Sequence, residues 1–302
     1  MTPRVLVVGE ALIDIVGGTE IVGGSPANVA LGLGRLGLDV GLLTALGDDE
    51  RGRRIESHLR ASGVRVHPES FTLARTSTAR ATVGGDGSAE YEFDVEWRLP
   101  AAEVPGQELL HVGSLGCFLE PGASRVMDLV RDTDGTPARL TFDPNIRPAL
   151  VDPSMVRRRV EDIASVASAV KLSDEDAEFI YPGLRVDDVV DRLLTLGPAI
   201  VAVTRGGEGA LIATPRARAR FRAPETRVVD TVGAGDTFMA ALIAMLANAG
   251  TWDLAPAEMN ALGEFCVTAA AITVGRAGAD LPSRGEVVAL CARAARAVPL
   301  DA

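Results

Sequence analysis

The residues best suited to chemistry lie in Asp230-Thr231-Val232-Gly233-Ala234-Gly235-Asp236. Gly233 and Gly235 permit a tight turn with bare backbone. From Thr237 onward, Phe238, Ala241, Leu242 and Met245 recur at helical spacing. Val228 and Val229 read as the end of an extended segment, so the expected order is strand, glycine loop, helix. A glycine turn feeding a helix presents unpaired N–H groups and a positive dipole end, which suits an anion such as phosphate. Asp236 stands where that anion would approach. A carboxylate there repels a phosphate unless it takes the proton from a hydroxyl that attacks it, while the loop amides hold the moving charge. The plainer alternative is that Asp236 caps the helix.

A second polar group lies near the N-terminus. Asp14 sits in the apolar run Ala11-Leu12-Ile13-Asp14-Ile15-Val16, and Gly23-Gly24-Ser25-Pro26-Ala27-Asn28 follows. A carboxylate and an amide together offer acceptors and donors to neighbouring hydroxyls. A helix-start role is the alternative for Asn28. These two stretches resemble the two signatures of the ribokinase-like (PfkB) carbohydrate kinases, and the resemblance extends over about residues 4 to 285. It implies ATP-dependent phosphorylation of a sugar hydroxyl. Asp236 would be the base, and the amides of Gly233, Ala234 and Gly235 the anion hole. Asp14, Gly24 and Asn28 would hold the sugar.

Three further loops fit the same resemblance. Asp143-Pro144-Asn145-Ile146-Arg147 resembles a loop of fructokinase and ketodeoxygluconate kinase members, with Arg147 on the substrate side; a surface ion pair is the alternative. Lys171-Leu172-Ser173-Asp174-Glu175-Asp176 occupies the place of an Asn-x-x-Glu element that organises magnesium-bound water. The chain departs from it, with Ser173 for Asn and Asp176 for Glu, and Glu175 beside it. Lys171 and Ser173 are assigned to the nucleotide side. Thr204-Arg205-Gly206-Gly207-Glu208-Gly209 looks like a nucleotide-phosphate turn, with Thr204, Gly206, Gly209 and also Gly235 near ATP. Family members use a monovalent cation, and K⁺ would draw on Asp230. The expected substrate is D-fructose, phosphorylated at the 6-hydroxyl, with ketodeoxygluconate or another sugar or nucleoside as the alternative. Arg80, on a lid strand, decides between them: an acid sugar needs it to point inward.

Composition narrows the chemistry. Lys171 is the only lysine in 302 residues, and no Gly-Lys-Ser/Thr pair exists, so a Walker loop is excluded. Phosphate transfer must rest on backbone amides, a divalent ion such as Mg²⁺, and arginine. A net charge of −11 argues against nucleic acid or a membrane surface as partner. Cys117, Cys266 and Cys291 are scattered, fit neither a disulfide framework nor a zinc site, and point to a reducing cytoplasm. Gly32-Leu33-Gly34-Arg35-Leu36-Gly37 spells a dinucleotide fingerprint, but it falls inside a helical pattern rather than after a strand, so close helix packing is expected instead. A sugar-binding regulator would keep Asp14 and Asn28 but need neither the base nor the anion hole.

These residues need a scaffold. Arg4 to Gly9 is an apolar run typical of a strand buried on both faces. Strand patterns at Val40–Leu46, Leu109–Ser114, Ala138–Phe142, Ala169–Leu172 and Ala199–Thr204 alternate with helical patterns, including Pro153–Ala164 and Val186–Leu196. That alternation predicts an α/β fold with a mostly parallel central sheet. With the resemblance it becomes a ribokinase-like three-layer sandwich, a single domain over 1–302. A small discontinuous β lid is expected over about 10–22 and 72–98, built from hairpins around Gly17-Gly18 and Gly84-Gly85-Asp86-Gly87. The lid is also the expected surface for a homodimer, and Phe93 or Trp97 either walls the sugar pocket or packs the core of the lid.

Overall fold

The computed structural model describes residues 4–83, 89–102, 106–249 and 252–297, without the side chains of 81–83, 89–91 and 294–297. The expected Gly84–Gly87 turn lies outside these residues. Strand β1 (Arg4–Val8) shows why the central sheet forms. Val5 and Val7 enter one apolar core, Leu6 and Val8 another, so a run without polar alternation is satisfied on both faces.

The chain continues through β2 (Leu12–Val16), β3 (Thr19–Gly23), α1 (Ser25–Arg35), β4 (Asp39–Leu43), β5 (Leu46–Gly47) and α2 (Glu50–Arg60). Then come β6 (Val64–Val66), β7 (Phe71–Leu73), β8 (Thr78–Val83), β9 (Ala89–Asp94), β10 (Leu109–Gly113) and α3 (Gly122–Thr133). The C-terminal half adds β11 (Arg139–Asp143), α4 (Pro153–Ala164), β12 (Ala169–Ser173), α5 (Asp174–Ile180) and α6 (Val186–Leu196). It closes with β13 (Ile200–Thr204), β14 (Ala210–Ala213), β15 (Arg218–Phe221), α7 (Ala234–Ala247), α8 (Pro256–Val274) and α9 (Arg284–Ala297).

Nine of the described strands form the central sheet in the order β15-β14-β13-β12-β11-β10-β1-β4-β6. From β6 to β13 the neighbours are parallel, and β14 and β15 turn antiparallel at one edge. Helices α1, α2, α7 and α8 pack on one face, α3 to α6 on the other. A separate sheet of order β3-β2-β8-β9 carries Asp14. It covers the expected lid segments. Among the described residues no helix is long and apolar enough to cross a membrane, and all three cysteines are free.

The structure corrects several expectations. Val228 and Val229 are in no strand. They lie exposed in a coil, and the Val229 amide donates to the carbonyl of Val274. A β-branched pair looks extended to a pattern reading, but here no neighbouring strand is available to receive it. The Val40–Leu46 run is split: β4 ends at Leu43, and Leu46 pairs with Phe71 in a second short ladder. Helix α5 and the β14–β15 ladder carry too little periodicity to have been singled out.

The glycines of the Gly32 to Gly37 run do serve packing. A Cβ on Gly32 would come within 2.7 Å of the Ala240 methyl on α7. On Gly34 it would lie 2.2 Å from the Ser62 carbonyl oxygen. Gly34→Ala should therefore destabilise the protein by about 1–3 kcal/mol despite alanine's better helix propensity, because backbone would have to move. Denaturant unfolding of the variant reads this directly; an unchanged midpoint would show that α1 does not press on the Ser62 turn.

Candidate active site

Asp236 occupies the first turn of α7, behind Gly233, whose φ of 78° lies in the left-handed region that favours glycine. Within the turn the Thr237 and Ala234 amides donate to the carbonyls of Gly233 and Thr231, and the Val232 amide to Asp230. The side chain of Asp236 does not fold back as a helix cap. Its carboxylate is 7% exposed and accepts from two side chains of α1: Ser25 Oγ donates to Oδ1 at 2.6 Å, and Asn28 Nδ2 to Oδ2 at 2.8 Å. A hydrogen bond to a charged group contributes roughly 1.5–3 kcal/mol, enough to hold a carboxylate that burial would otherwise penalise. Ser25 and Asn28 are three residues apart, so the first turn of α1 presents both to one target.

The turn into α1 explains Gly24. Its φ is 99°, and a Cβ there would sit 2.6 Å from the carbonyl oxygen of Glu10. Asp14 lies half-buried in the middle of β2, and its carboxylate leans across the ladder toward Gly23, where a Cβ would come within 1.9 Å of Oδ2. It has no hydrogen-bond partner among the described residues. Burial pushes its pKa up to about 6; Arg147 opposes the shift and Asp236 adds to it, which puts the three groups in one neighbourhood.

Strand register separates Arg80 from this group. Asp14 pairs with Ala79, and Ala79 with Phe93, so those side chains share a face. Arg80 pairs with Ile15 and Glu92 on the opposite face, where it is exposed and close to Glu20. The question left open for Arg80 is answered outward, away from Asp14: a shift of one residue in a strand reverses the face. Phe93 is on the Asp14 side. Trp97 is not in the small sheet at all: it is buried against Gly122 and donates through Nε1 to the Gly116 carbonyl at 3.0 Å.

The remaining predicted residues gather at the C-terminal ends of the central strands, where α/β sheets place ligands. Asp143 ends β11, Ser173 and Thr204 end β12 and β13 opposite each other, and Gly206 and Gly209 form the β13–β14 turn. Gly209 has a φ of 96°, and a Cβ there would meet the Phe221 carbonyl at 1.9 Å. Arg147 is exposed, and its Nη1 donates to Asn145 Oδ1 at 2.7 Å. Lys171 is buried beneath this rim and pairs with Asp143 at 2.8 Å.

Asp176 is occupied by backbone. Oδ2 accepts from the Ser173 amide at 3.0 Å and Oδ1 from the Ile146 amide at 2.8 Å, while Ser173 Oγ accepts from the Asp176 amide. This is a capping box that ties α5 to the Ile146 loop. Glu175 is exposed. No group of three metal-ligating side chains occurs among the described residues. The carboxylates therefore do not form a direct divalent-ion cage; a Mg²⁺ ion would draw its ligands from phosphates and water. Asp230 accepts amides too, from Val232 at 3.0 Å and Gly278 at 2.9 Å, and so braces the anion loop against the chain after α8.

Sequence reading missed Ser25 and Glu10. Ser25 was legible only as part of a loop; its role depends on α1 meeting α7. Glu10 lies two residues past the end of β1 and is buried. Its Oε2 accepts from the Gly116 amide at 2.9 Å. Burial drives its pKa up to about 7, against the lowering effect of Ser114 and the backbone amides. The folded protein thus holds the Glu10 proton more tightly than the unfolded chain. Stability from this group is full at low pH and is lost as pH rises toward and through 7, by about 3 kcal/mol at 1.36 kcal/mol per unit. Glu10→Gln keeps a carbonyl acceptor and cannot ionise. Its stability relative to the parent should improve by a few kcal/mol between pH 5 and pH 8 in urea titrations; a difference that stays constant over that range would contradict a buried, titrating Glu10.

Comparisons with known proteins bear on the family and the fold. The family description "pfkB family carbohydrate kinase" matches residues 3–284. The chain is 33% identical to a fructokinase of Klebsiella pneumoniae, over 95% of this chain and 99% of that protein. It is 32% identical to a fructokinase of Salmonella typhimurium, over 87% and 89% respectively. In structure it is similar to a fructokinase of Vibrio cholerae O395 solved with fructose, ADP and calcium ion, with a TM-score of 0.84 at 25% identity, covering 95% of this chain and 98% of that one.

Proposed function

The chain belongs to the pfkB family of carbohydrate kinases and is an ATP-dependent sugar kinase, and on that premise we propose that its acceptor is D-fructose, phosphorylated at the 6-hydroxyl, with Asp236 as the base. The observation that carries the role of Asp236 is its contact with Ser25 and Asn28. The carboxylate at the head of α7 is joined to the first turn of α1, in the same neighbourhood as Asp14, so one group touches both the anion site and the hydroxyl site. A sugar hydroxyl that displaces Ser25 or Asn28 from Asp236 would stand in line with a phosphoryl group at the Gly233–Gly235 amides. The proton then passes from that hydroxyl to Asp236, and the amides hold the transferring charge.

On this reading Asp14, Gly24 and Asn28 hold the sugar and Arg147 closes its open side. Thr204, Gly206 and Gly209 flank the nucleotide, and Ser173 shapes the rim beside them. A divalent ion bridges the phosphates through water. K⁺ near Asp230 would have to compete with two amides, which makes bracing the loop the better reading of that residue.

The choice of a neutral ketose rests on charge. Arg80 is turned away from Asp14. Arg147 remains, and its guanidinium is partly engaged by Asn145. A carboxylate-bearing sugar would be buried beside Asp14 without a dedicated cation, at a cost that disfavours it. Similarity to the fructokinases supports the same choice.

Asp236→Asn should keep the fold and nucleotide binding while lowering kcat by ~10²–10⁴, the usual scale for a general base; near-normal turnover in a folded variant would sink the assignment. For the sugar, kcat/KM under identical ATP and Mg²⁺ should be higher for fructose than for ketodeoxygluconate, ribose and adenosine. Fructose losing to any of them by tenfold or more would overturn the acceptor and leave the kinase standing.

A further inference from the structure

The only lysine of the chain is 3% exposed and sits in the parallel core. Thr141 and Phe142 of β11 pair with Ala169 and Val170 of β12, and one residue further along the same register Asp143 stands beside Lys171. The Lys171 Nζ to Asp143 Oδ2 distance is 2.8 Å. Asp143 is 1% exposed, and its other oxygen, Oδ1, is buried without a partner. An ammonium has three donors. Among the described residues only Asp143 receives one.

Position gives this pair a purpose. A Cβ on Gly235 would lie 3.1 Å from Lys171 Nζ. In a helix the Cα–Cβ direction tilts toward the N-terminus, so the ammonium stands at the head of α7, beside the anion loop. That is a poor place for an unneeded cation. The helix dipole repels it, and its removal from water carries a cost that its ion pair only partly offsets. His111, Asp176 and Asp236 also face it electrostatically. Burial and Lys171 hold His111 neutral down to about 3. Burial disfavours the ammonium, yet the Asp143, Asp176 and Asp236 carboxylates keep Lys171 charged.

We propose that Lys171 is a catalytic residue that donates to the transferring phosphoryl group, and that Asp143 positions it. The proposal rests on the phosphotransfer reading and is indifferent to which sugar accepts. The bond from the terminal phosphorus to the ADP oxygen breaks, and the bond to the sugar oxygen forms. The hydroxyl proton goes to Asp236. Lys171 neither gives nor takes a proton; it stays charged and opposes the negative charge on the non-bridging oxygens. A side chain at Gly235 would press on the ammonium. In a chain with no other lysine, this supplies a fixed cation that the backbone amides lack.

The test compares ADP with ADP plus fluoroaluminate, both with Mg²⁺ and sugar. Fluoroaluminate mimics the transferring group, so a residue that acts on that group affects the second complex more than the first. The double variant Asp143→Asn, Lys171→Gln avoids leaving a lone buried charge. It should bind ADP within about threefold of the parent, lose most of the extra affinity given by fluoroaluminate, and lose about 10²-fold in kcat with little change in KM, the scale for one oxyanion donor. If the double variant does not fold, by thermal melting, the single Lys171→Gln is measured against the same criterion. A variant that keeps the full fluoroaluminate gain, or loses affinity equally for both complexes, overturns the proposal while the kinase reading stands. A parent protein that itself gains nothing from fluoroaluminate overturns both.

Discussion

The carboxylate of Asp236 lies almost out of water at the head of a helix, and two side chains of a different helix satisfy it. Much of the architecture serves to make that meeting possible. α1 must approach α7 closely, and it does so through residues without bulk: Gly32 against Ala240 on the neighbouring turns. The Gly24 turn, tight against the Glu10 carbonyl, aims the first turn of α1 at the same point. Asp230 fixes the other side, binding the anion loop to Gly278 beyond α8. The contact between Ser25, Asn28 and Asp236 is thus a packing constraint and, on the proposed function, the join between the sugar and phosphate subsites.

Electrostatics explains why the site is built on the sheet rather than on the surface. The protein carries a net charge of −11, which repels a nucleotide at long range. Binding an anion therefore depends on local, oriented donors. On the proposed reading three kinds of donor serve: first-turn amides of α7, the glycine turn after β13, and the buried Lys171. Each is held by backbone or by a buried partner and needs little reorganisation when an anion arrives. The acidic residues nearby are correspondingly restrained. Asp176 is spent on capping α5, and Asp143 on Lys171.

The small sheet shows how far a pattern carries. Its hairpins were legible because glycine pairs interrupt alternating residues, and β2, β3, β8 and β9 appear where expected. The face of each strand was not legible. Arg80 and Ala79 differ by one position, and only the ladder with β2 says which of them accompanies Asp14. Trp97 reads as the end of the same aromatic run, yet the chain leaves the sheet after Asp94 and the indole goes to the core. Val228 and Val229 err in the same way: extended propensity without a partner strand gives coil.

The parallel core, the helix boundaries at Pro153–Ala164 and Val186–Leu196, the glycine loop before α7 and the lack of a Walker loop were all legible in residue order. These are local properties, set by periodicity, turn chemistry and residue type within a few positions. That Ser25 reaches Asp236 across 211 positions, that Asp143 and Lys171 are neighbours, and that Glu10 is buried enough to resist ionisation emerges only from long-range packing. Those outcomes depend on which strands adjoin and which helices touch. Contacts of that kind form between segments with no shared local pattern, so their physics is readable only once the chain has closed around them.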